Sequence, residues 1–268
     1  MAKNKIEIIY EDDRVIAVNK PAGVSVTYDR CGKDNLIDSL HKKREGLDGL
    51  KIIHRLDDDA SGIMILAKND DAQKKLSDDF EKGQIIKIYL AIVTGTPCEK
   101  TGMIDAPLAQ NGKNPEKIEV DYKHGKEART QWELLADFGS LSLLAVKPLT
   151  DRMHQIQVHL KHANMPLAID NPDGQNQAIM LSSFKTNYKL GKYAEEKPLI
   201  DRLTLCAYEI KIEDFANSEA MHLVGPLEKK FKAAIKMLTK YNPNGPGAFI
   251  NEENFKRLLD SKALLLGI

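Results

Sequence analysis

The residues best able to do chemistry lie in one run, His54-Arg55-Leu56-Asp57-Asp58-Asp59-Ala60-Ser61-Gly62-Ile63-Met64-Ile65-Leu66-Ala67-Lys68. An acidic turn leads there straight into an apolar strand. A carboxylate at the mouth of a strand, with a cation such as Arg55 nearby, can stay ionised in a partly dry pocket. Asp57 in that position suits nucleophilic or general-base work. Taken bare, three consecutive aspartates more often make a solvated acidic loop. A glycoside-type hydrolase using Asp57 with Asp58 or Asp59 is a further chemistry of the same run, although adjacent side chains rarely point into one cleft. His154, His159 and His162 have the side chains of a metal site but not its spacing. Residues 154 and 159 are five apart, do not share a helical face well, and have no carboxylate clustered with them. Solvated histidines on a helix are expected there, with no metal.

The elements that must position these residues are legible from hydropathy. Ile6, Ile8 and Tyr10 alternate with polar residues, and Val15-Ile16-Ala17-Val18 is a short apolar strand broken by Asn19-Lys20-Pro21-Ala22-Gly23. Residues 62–68 form a second apolar strand. Asp70 is the expected N-cap of a helix through Glu81, stopped by Gly83. Residues 85–93 read as a strand, and 117–122 alternate as another. Residues 128–135 and 141–146 pair around Asp137-Phe138-Gly139-Ser140. A helix is predicted over 153–162, a loop-rich stretch over 164–200, and a strand over 203–212. Pro226 opens a helix as its first residue and runs to Lys240. Asn242-Pro243-Asn244-Gly245-Pro246-Gly247 is a break, and Asn251 caps a terminal helix reaching Leu266. The expectation is one domain over 1–242 and a helical extension over 243–268 packed on it. Strands joined by short turns, with helices inserted irregularly, indicate an α+β fold around a mixed, largely antiparallel sheet rather than a βαβ array.

Composition narrows the function classes. The chain has 268 residues, 39 Lys+Arg against 39 Asp+Glu, and 42% hydrophobic residues. Balanced charge and ordinary apolar content argue against disorder. No apolar window is long enough for a membrane span, and residues 1–7 lack a secretory h-region. Cys31, Cys98 and Cys206 are odd in number and far apart, which supports neither a disulfide framework nor a zinc site. A cytoplasmic protein with reduced thiols is expected. Zero net charge excludes a general nucleic-acid coater, so any RNA contact must use a local groove.

The full string from His54 to Lys68 resembles the HRLD-x-x-TSG-x-x-x-x-AK signature of RluA-type RNA pseudouridine synthases. Further segments agree with that family in order. Ile9-Tyr10-Glu11-Asp12-Asp13 with Val18-Asn19-Lys20-Pro21-Ala22-Gly23 is similar to its N-terminal strand-turn motif. Lys87-Ile88-Tyr89-Leu90-Ala91-Ile92-Val93-Thr94-Gly95 is similar to its K-x-Y-x-A-x-V-x-G strand. Thr150-Asp151-Arg152-Met153-His154-Gln155-Ile156-Gln157-Val158-His159 is similar to its TGR-x-HQIR-x-H helix start. The resemblance spans roughly residues 6–240, and only five residues precede the first motif, as in members without an S4 RNA-binding domain.

The resemblance implies the pseudouridine synthase fold, with helices and loops flanking the central sheet. It also implies isomerisation of uridine in structured RNA, a ribosomal or transfer RNA stem-loop, with no cofactor and no metal; no obligatory protein partner is inferred from the sequence. Asp57 aligns with the essential aspartate, which attacks C1′ or removes a C2′ proton; both remain open. Tyr89 aligns with the tyrosine that packs on the uracil and takes the C5 proton. Arg55 fills the space left by a flipped nucleotide, since a base inside a stem must leave the stack before chemistry. Its alternative is a surface ion pair with Asp58 or Asp59. His54, Leu56, Arg152, His154, Gln157 and Lys161 complete the expected substrate-binding set. The family's HQIR arginine, which pairs with the aspartate, is Gln157 here. A neutral amide replaces a bidentate cation. Lys161 shares a helical face with His154 and Gln157 and is the candidate replacement cation, with Arg152 and Arg55 as others. The family's Thr, Gly and Gly are Ala60, Asp151 and Ile169, and Pro172-Asp173-Gly174 replaces a tyrosine-glycine pair. An active synthase is the favoured expectation. A member that binds RNA without efficient isomerisation is the alternative.

Overall fold

A computed structural model describes residues 6–27, 35–44, 46–47, 49–115, 117–170, 178–191, 194–216, 219–242 and 252–268. The chain begins with β1 (Glu7–Glu11), β2 (Val15–Lys20), α1 (Leu36–Lys43), β3 (Lys51–Ile52), β4 (Ser61–Ala67) and α2 (Asp70–Glu81). It continues through β5 (Ile85–Thr94), β6 (Thr101–Asp105), β7 (Leu108–Gln110), β8 (Ile118–Val120), β9 (Arg129–Asp137), β10 (Leu141–Pro148) and α3 (Gln155–His162). It ends with β11 (Leu205–Ala216), β12 (Glu219–Val224), α4 (Lys229–Lys240) and α5 (Glu252–Leu259). Two compact units emerge, one of residues 1–88 with 206–228, the other of 89–205 with 229–268.

The first unit is organised around β4, whose seven residues are all buried. A strand covered on both faces reads as a continuous apolar run, and Gly62-Ile63-Met64-Ile65-Leu66-Ala67 is one. β2 lies antiparallel on one side of β4, with Val18 opposite Met64, and β1 pairs antiparallel with β2. On the other side β11 runs parallel to β4, with Cys206 opposite Ser61 and Ala207 opposite Gly62. That close pairing dictates a glycine. Gly62 has φ +120°, and a Cβ there would sit 2.0 Å from the Ala207 carbonyl oxygen. Cys206 is sealed in this seam, and burial pushes its thiol up to about 12, so it stays protonated and inert. α2 packs on β4 through buried Ala72 and Leu76. Its N-cap is Asn69, whose side chain accepts from the Ala72 amide, one residue earlier than expected; Asp70 instead sits in the first turn, where a carboxylate suits the helix dipole. α1 was not signalled by periodicity; Asn35 caps it by accepting from the Asp38 amide.

The second unit carries the expected hairpin. β9 and β10 are antiparallel, with a bulge between Leu143 and Leu144. Gly139 takes φ +84° in the turn, where its amide donates to Asp137 Oδ1. β10 pairs antiparallel with the stretch of β5 from Tyr89 to Thr94, and β6 pairs antiparallel with β9. β7 and β8 form a separate small hairpin, and α3 packs on β8 and β10. The strand expected over 117–122 is shorter, because Tyr122 already lies in a turn. α4 begins at Lys229, three residues after the expected proline start, and buries Phe231, Ala234, Ile235 and Leu238. The break over 243–247, the Asn251 cap and Cys31 lie outside the described residues. α5 ends at Leu259 rather than 266. The tail beyond it runs back over the hairpin, where Gly267 donates to Glu133 and Lys147 reaches the Ile268 carbonyl. Among the described residues, no helix is long and apolar enough to cross a membrane.

Candidate active site

In the first unit, residues 54–57 alternate inward and outward as an extended segment must. His54 and Leu56 are buried, Arg55 is exposed and Asp57 is half-buried. His54 Nε2 accepts the Ile65 amide at 3.1 Å, so its proton is on Nδ1 and the ring is neutral. The ring also stacks on Phe80 of α2, 5.0 Å between centroids. His54 and Leu56 thus anchor the loop to β4 and leave Asp57 at its rim. The chain turns at once, with the Ala60 amide donating to the Asp57 carbonyl.

Lys20 locks this loop from the other side, a role not legible in the sequence, where Asn19-Lys20-Pro21 marks only a strand break. The side chain is fully buried. Its Nζ donates to the carbonyls of Val24 and Asp58, both at 2.8 Å, and of Pro21 at 3.3 Å. Gly23 adds an amide to the same Asp58 oxygen at 2.8 Å. Burial pushes the Lys20 ammonium down to about 8, against the pull of the Asp58, Asp59 and Asp57 carboxylates and of Glu228. The ion pair considered for Arg55 is absent among the described residues; Arg55 projects into solvent.

In the second unit, Tyr89 is buried in β5 opposite Val146. The start of α3 carries the most specific geometry. His154 is its N-cap in the left-handed region at φ 52°, a conformation that costs a non-glycine residue about 1–2 kcal/mol. His154 Nδ1 bonds Gln157 Oε1 at 3.0 Å, and Gln157 Nε2 donates to Asp170 Oδ1 at 3.2 Å. The amide that stands for the expected arginine is therefore bridged between a histidine and a carboxylate. Asp170 stands where the family has the aspartate of its glycine-aspartate pair, next to the departure at Ile169. Arg152 turns to the Glu127 carbonyl through Nε at 3.1 Å. Lys161 is exposed and makes no ion pair among the described residues. Residues 171–177, including the Pro172-Asp173-Gly174 departure, lie outside the described residues.

The histidines on α3 correct one expectation. They are not uniformly solvated. His159 is fully buried, bonded to Thr130 Oγ1 at 2.8 Å and to the Ala106 carbonyl at 2.9 Å. Burial holds its pKa below the ordinary histidine range. His162 is exposed and points to Tyr122. Among the described residues, no group of three or more His, Cys, Asp or Glu side chains is placed to hold a metal ion.

Residues 14–162, a span that holds Asp57, Tyr89 and α3, match the profile of the RNA pseudouridylate synthase family. This chain belongs to that family. As a pseudouridylate synthase it is an isomerase acting on RNA. It is 32% identical over 235 residues to ribosomal large subunit pseudouridine synthase C of Vibrio parahaemolyticus, covering 88% of this chain and 70% of the relative. It is 32% identical over 234 residues to ribosomal large subunit pseudouridine synthase D of Borreliella burgdorferi, covering 82% and 71%. Among solved structures, human RNA pseudouridylate synthase domain containing 4 superposes with a TM-score of 0.65 at 24% identity, covering 87% of this chain and 92% of that one. Human RNA pseudouridylate synthase domain containing 1 gives 0.62 at 22% identity, covering 83% and 84%. The fold is that of the family, α+β with mixed, mostly antiparallel strands.

Proposed function

We propose that this synthase converts a specific uridine of ribosomal RNA, presented in a stem-loop in the cytoplasm, to pseudouridine, with Asp57 acting at the ribose and Tyr89 at the uracil. The relatives' names point to the large ribosomal subunit as the source of that RNA. The observation that carries the residue assignment is the loop around Asp57. Its neighbours His54 and Leu56 are anchored in the core, Lys20 and Gly23 fasten the Asp58 carbonyl, and the Asp57 side chain is left partly accessible. A reacting carboxylate needs that combination of fixed backbone and open side chain. The isomerisation is atom-balanced. The N1–C1′ bond breaks, the uracil turns, C5 bonds to C1′, and the C5 proton is removed while N1 gains one. Asp57 and Tyr89 are the side chains assigned to this chemistry, and the exposure of Arg55 next to Asp57 in the chain supports a role for it in contacting RNA.

Gln157 favours a second reading, a protein that binds RNA but isomerises it poorly. Its amide is bonded to His154 and Asp170, and it brings no positive charge. The deciding experiment incubates purified full-length protein with ribosomal RNA and, separately, transfer RNA lacking pseudouridine, beside Asp57→Ala. Pseudouridine in ribosomal RNA from the wild type but not from Asp57→Ala supports the proposal. Modification of transfer RNA alone would replace the substrate, and RNA binding without product would establish the second reading.

A further inference from the structure

The turn after β8 presents a tyrosine to solvent. Tyr122 is 69% exposed. It is also rigidly presented. The Asp121 amide donates to the Pro107 carbonyl and the Gly125 amide to the Asp121 carbonyl, both at 2.9 Å. Asp121 Oδ1 accepts the Lys123 and His124 amides at 2.8 and 3.1 Å. Gly125 is required for the closure, since a Cβ there would lie 2.3 Å from the Asp121 carbonyl oxygen. The Tyr122 hydroxyl meets His162 Nε2 of α3 at 3.3 Å, with the rings tilted by 58° and their centroids 6.4 Å apart. One aromatic ring is thus braced by another while remaining open to solvent.

Three lysines lie around it against two acids that no Lys or Arg pairs among the described residues, Asp121 and Glu119. Lys123 and Lys126 flank the turn and Lys161 precedes His162; all three are exposed and make no ion pair among the described residues. Of the nearby acids, Glu127 alone is paired with an arginine, while the other two are held by hydrogen bonds. Asp121 closes the turn and faces His124, Glu119 accepts from Asn111, and Glu127 pairs with Arg129. An exposed, braced aromatic, with exposed ammonium groups on its own turn and on the helix that braces it, has the chemistry that takes an unpaired base on its face and the adjoining phosphates on its rim. A protein partner would be matched to a larger apolar patch than one ring provides. Lys161 also lies one turn from Gln157 on the same helical face, so the patch continues from the motif-bearing start of α3.

We infer that Tyr122, braced by His162 and flanked by Lys123, Lys126 and Lys161, is a stacking platform for an unpaired nucleotide of the RNA substrate, separate from the uridine being isomerised. The platform deepens the RNA-isomerase assignment and does not depend on which RNA is modified.

The test uses full-length protein and a short single-stranded RNA carrying one fluorescent 2-aminopurine, whose emission is quenched on stacking. Wild-type protein quenches the probe. Tyr122→Ala and Tyr122→Leu weaken binding roughly five- to tenfold and abolish quenching, whereas Tyr122→Phe keeps both. Thermal unfolding of the variants matches wild type, because the side chain is exposed. Lys123→Gln with Lys126→Gln lowers the slope of log affinity against log salt by about 0.7 for each phosphate that is no longer neutralised. Equal binding and quenching by Tyr122→Ala, or no quenching by the wild type, would overturn the platform. Pseudouridine formation on ribosomal RNA, followed in parallel, separates the two proposals. If the platform holds, Tyr122→Ala raises KM and leaves kcat unchanged; quenching without any pseudouridine from wild type sinks only the proposed activity.

Discussion

The side-chain nitrogen of Lys20 lies 2.8 Å from the carbonyl oxygen of Asp58, the residue that follows the candidate catalytic aspartate. A fully buried cation thereby fastens a loop carrying three carboxylates. Because burial lowers the folded-state pKa of Lys20 to about 8 from its ordinary 10.5, the folded chain binds fewer protons than the unfolded one between those values. Stability contributed at this site therefore rises with pH across that window, by up to about 1.4 kcal/mol per unit. The handicap is fully present below pH 8 and gone above 10.5. Urea unfolding at pH 8 and pH 10 checks this. Wild type should gain about 2 kcal/mol on Lys20→Met, which has no charge to lose. An equal response from the two proteins would show that the ammonium is better solvated than its burial implies.

Gly62 makes the sharpest steric prediction. With φ +120° and the Ala207 backbone against it, Gly62→Ala must either push β11 from β4 or misplace the loop that ends in Ser61. The expected loss is about 3 kcal/mol or more, combining backbone strain with overpacking. Gly23→Ala, where a Cβ meets nothing within 4 Å but φ is +76°, should cost only about 1–2 kcal/mol. Denaturant midpoints of the two variants give the comparison, and a milder effect at Gly62 would contradict the parallel pairing.

Much of this was legible because the hydrophobic pattern is strict where burial is strict. The continuous run 62–67 marked β4, and Asp137 with Gly139 marked the β9–β10 turn. What stayed hidden depended on contacts distant in sequence. Lys20 reads as a solvated turn residue until the carbonyls of Val24 and Asp58 are seen around it. His159 reads as a solvated helix histidine until Thr130 and Ala106, on other elements, bracket its ring. α1 was missed because its eight residues offer only Leu36 and Leu40 as fully buried anchors. At the site, the string around Asp57 was readable as a motif and Asp170 as the aspartate of a family pair, but the bond between Gln157 and Asp170, thirteen residues apart, has no local signature.

His159 should make the protein acid-sensitive. A buried neutral imidazole with a lowered pKa is protonated in the unfolded chain first. Stability tied to it is present above the ordinary histidine value of about 6.5 and is lost as pH falls below that, by up to about 1.4 kcal/mol per unit until the folded form also protonates. His159→Phe removes two buried hydrogen bonds and lowers stability at pH 7.5 by about 2–4 kcal/mol. The variant should nonetheless lose less than wild type between pH 7 and 5. Parallel slopes in urea titrations would refute the assignment.

Gln157→Arg tests whether the missing cation limits the chemistry. Installed at that position, a guanidinium meets Asp170, whose Oδ1 already takes the Gln157 amide at 3.2 Å. It also loses the acceptor that His154 Nδ1 uses, so the left-handed N-cap is weakened as the charge arrives. A bidentate arginine–carboxylate pair is stronger than the amide bond it replaces. The single substitution is therefore expected to change kcat for pseudouridine formation by less than about tenfold, which is under 1.4 kcal/mol of barrier. Gln157→Arg combined with Asp170→Asn releases the guanidinium and should raise kcat above either single variant. The two changes are then non-additive, as expected for residues in contact. A tenfold or larger gain from Gln157→Arg alone would mean that Asp170 does not compete for the guanidinium. Additive effects would mean that the two positions act independently in the reaction.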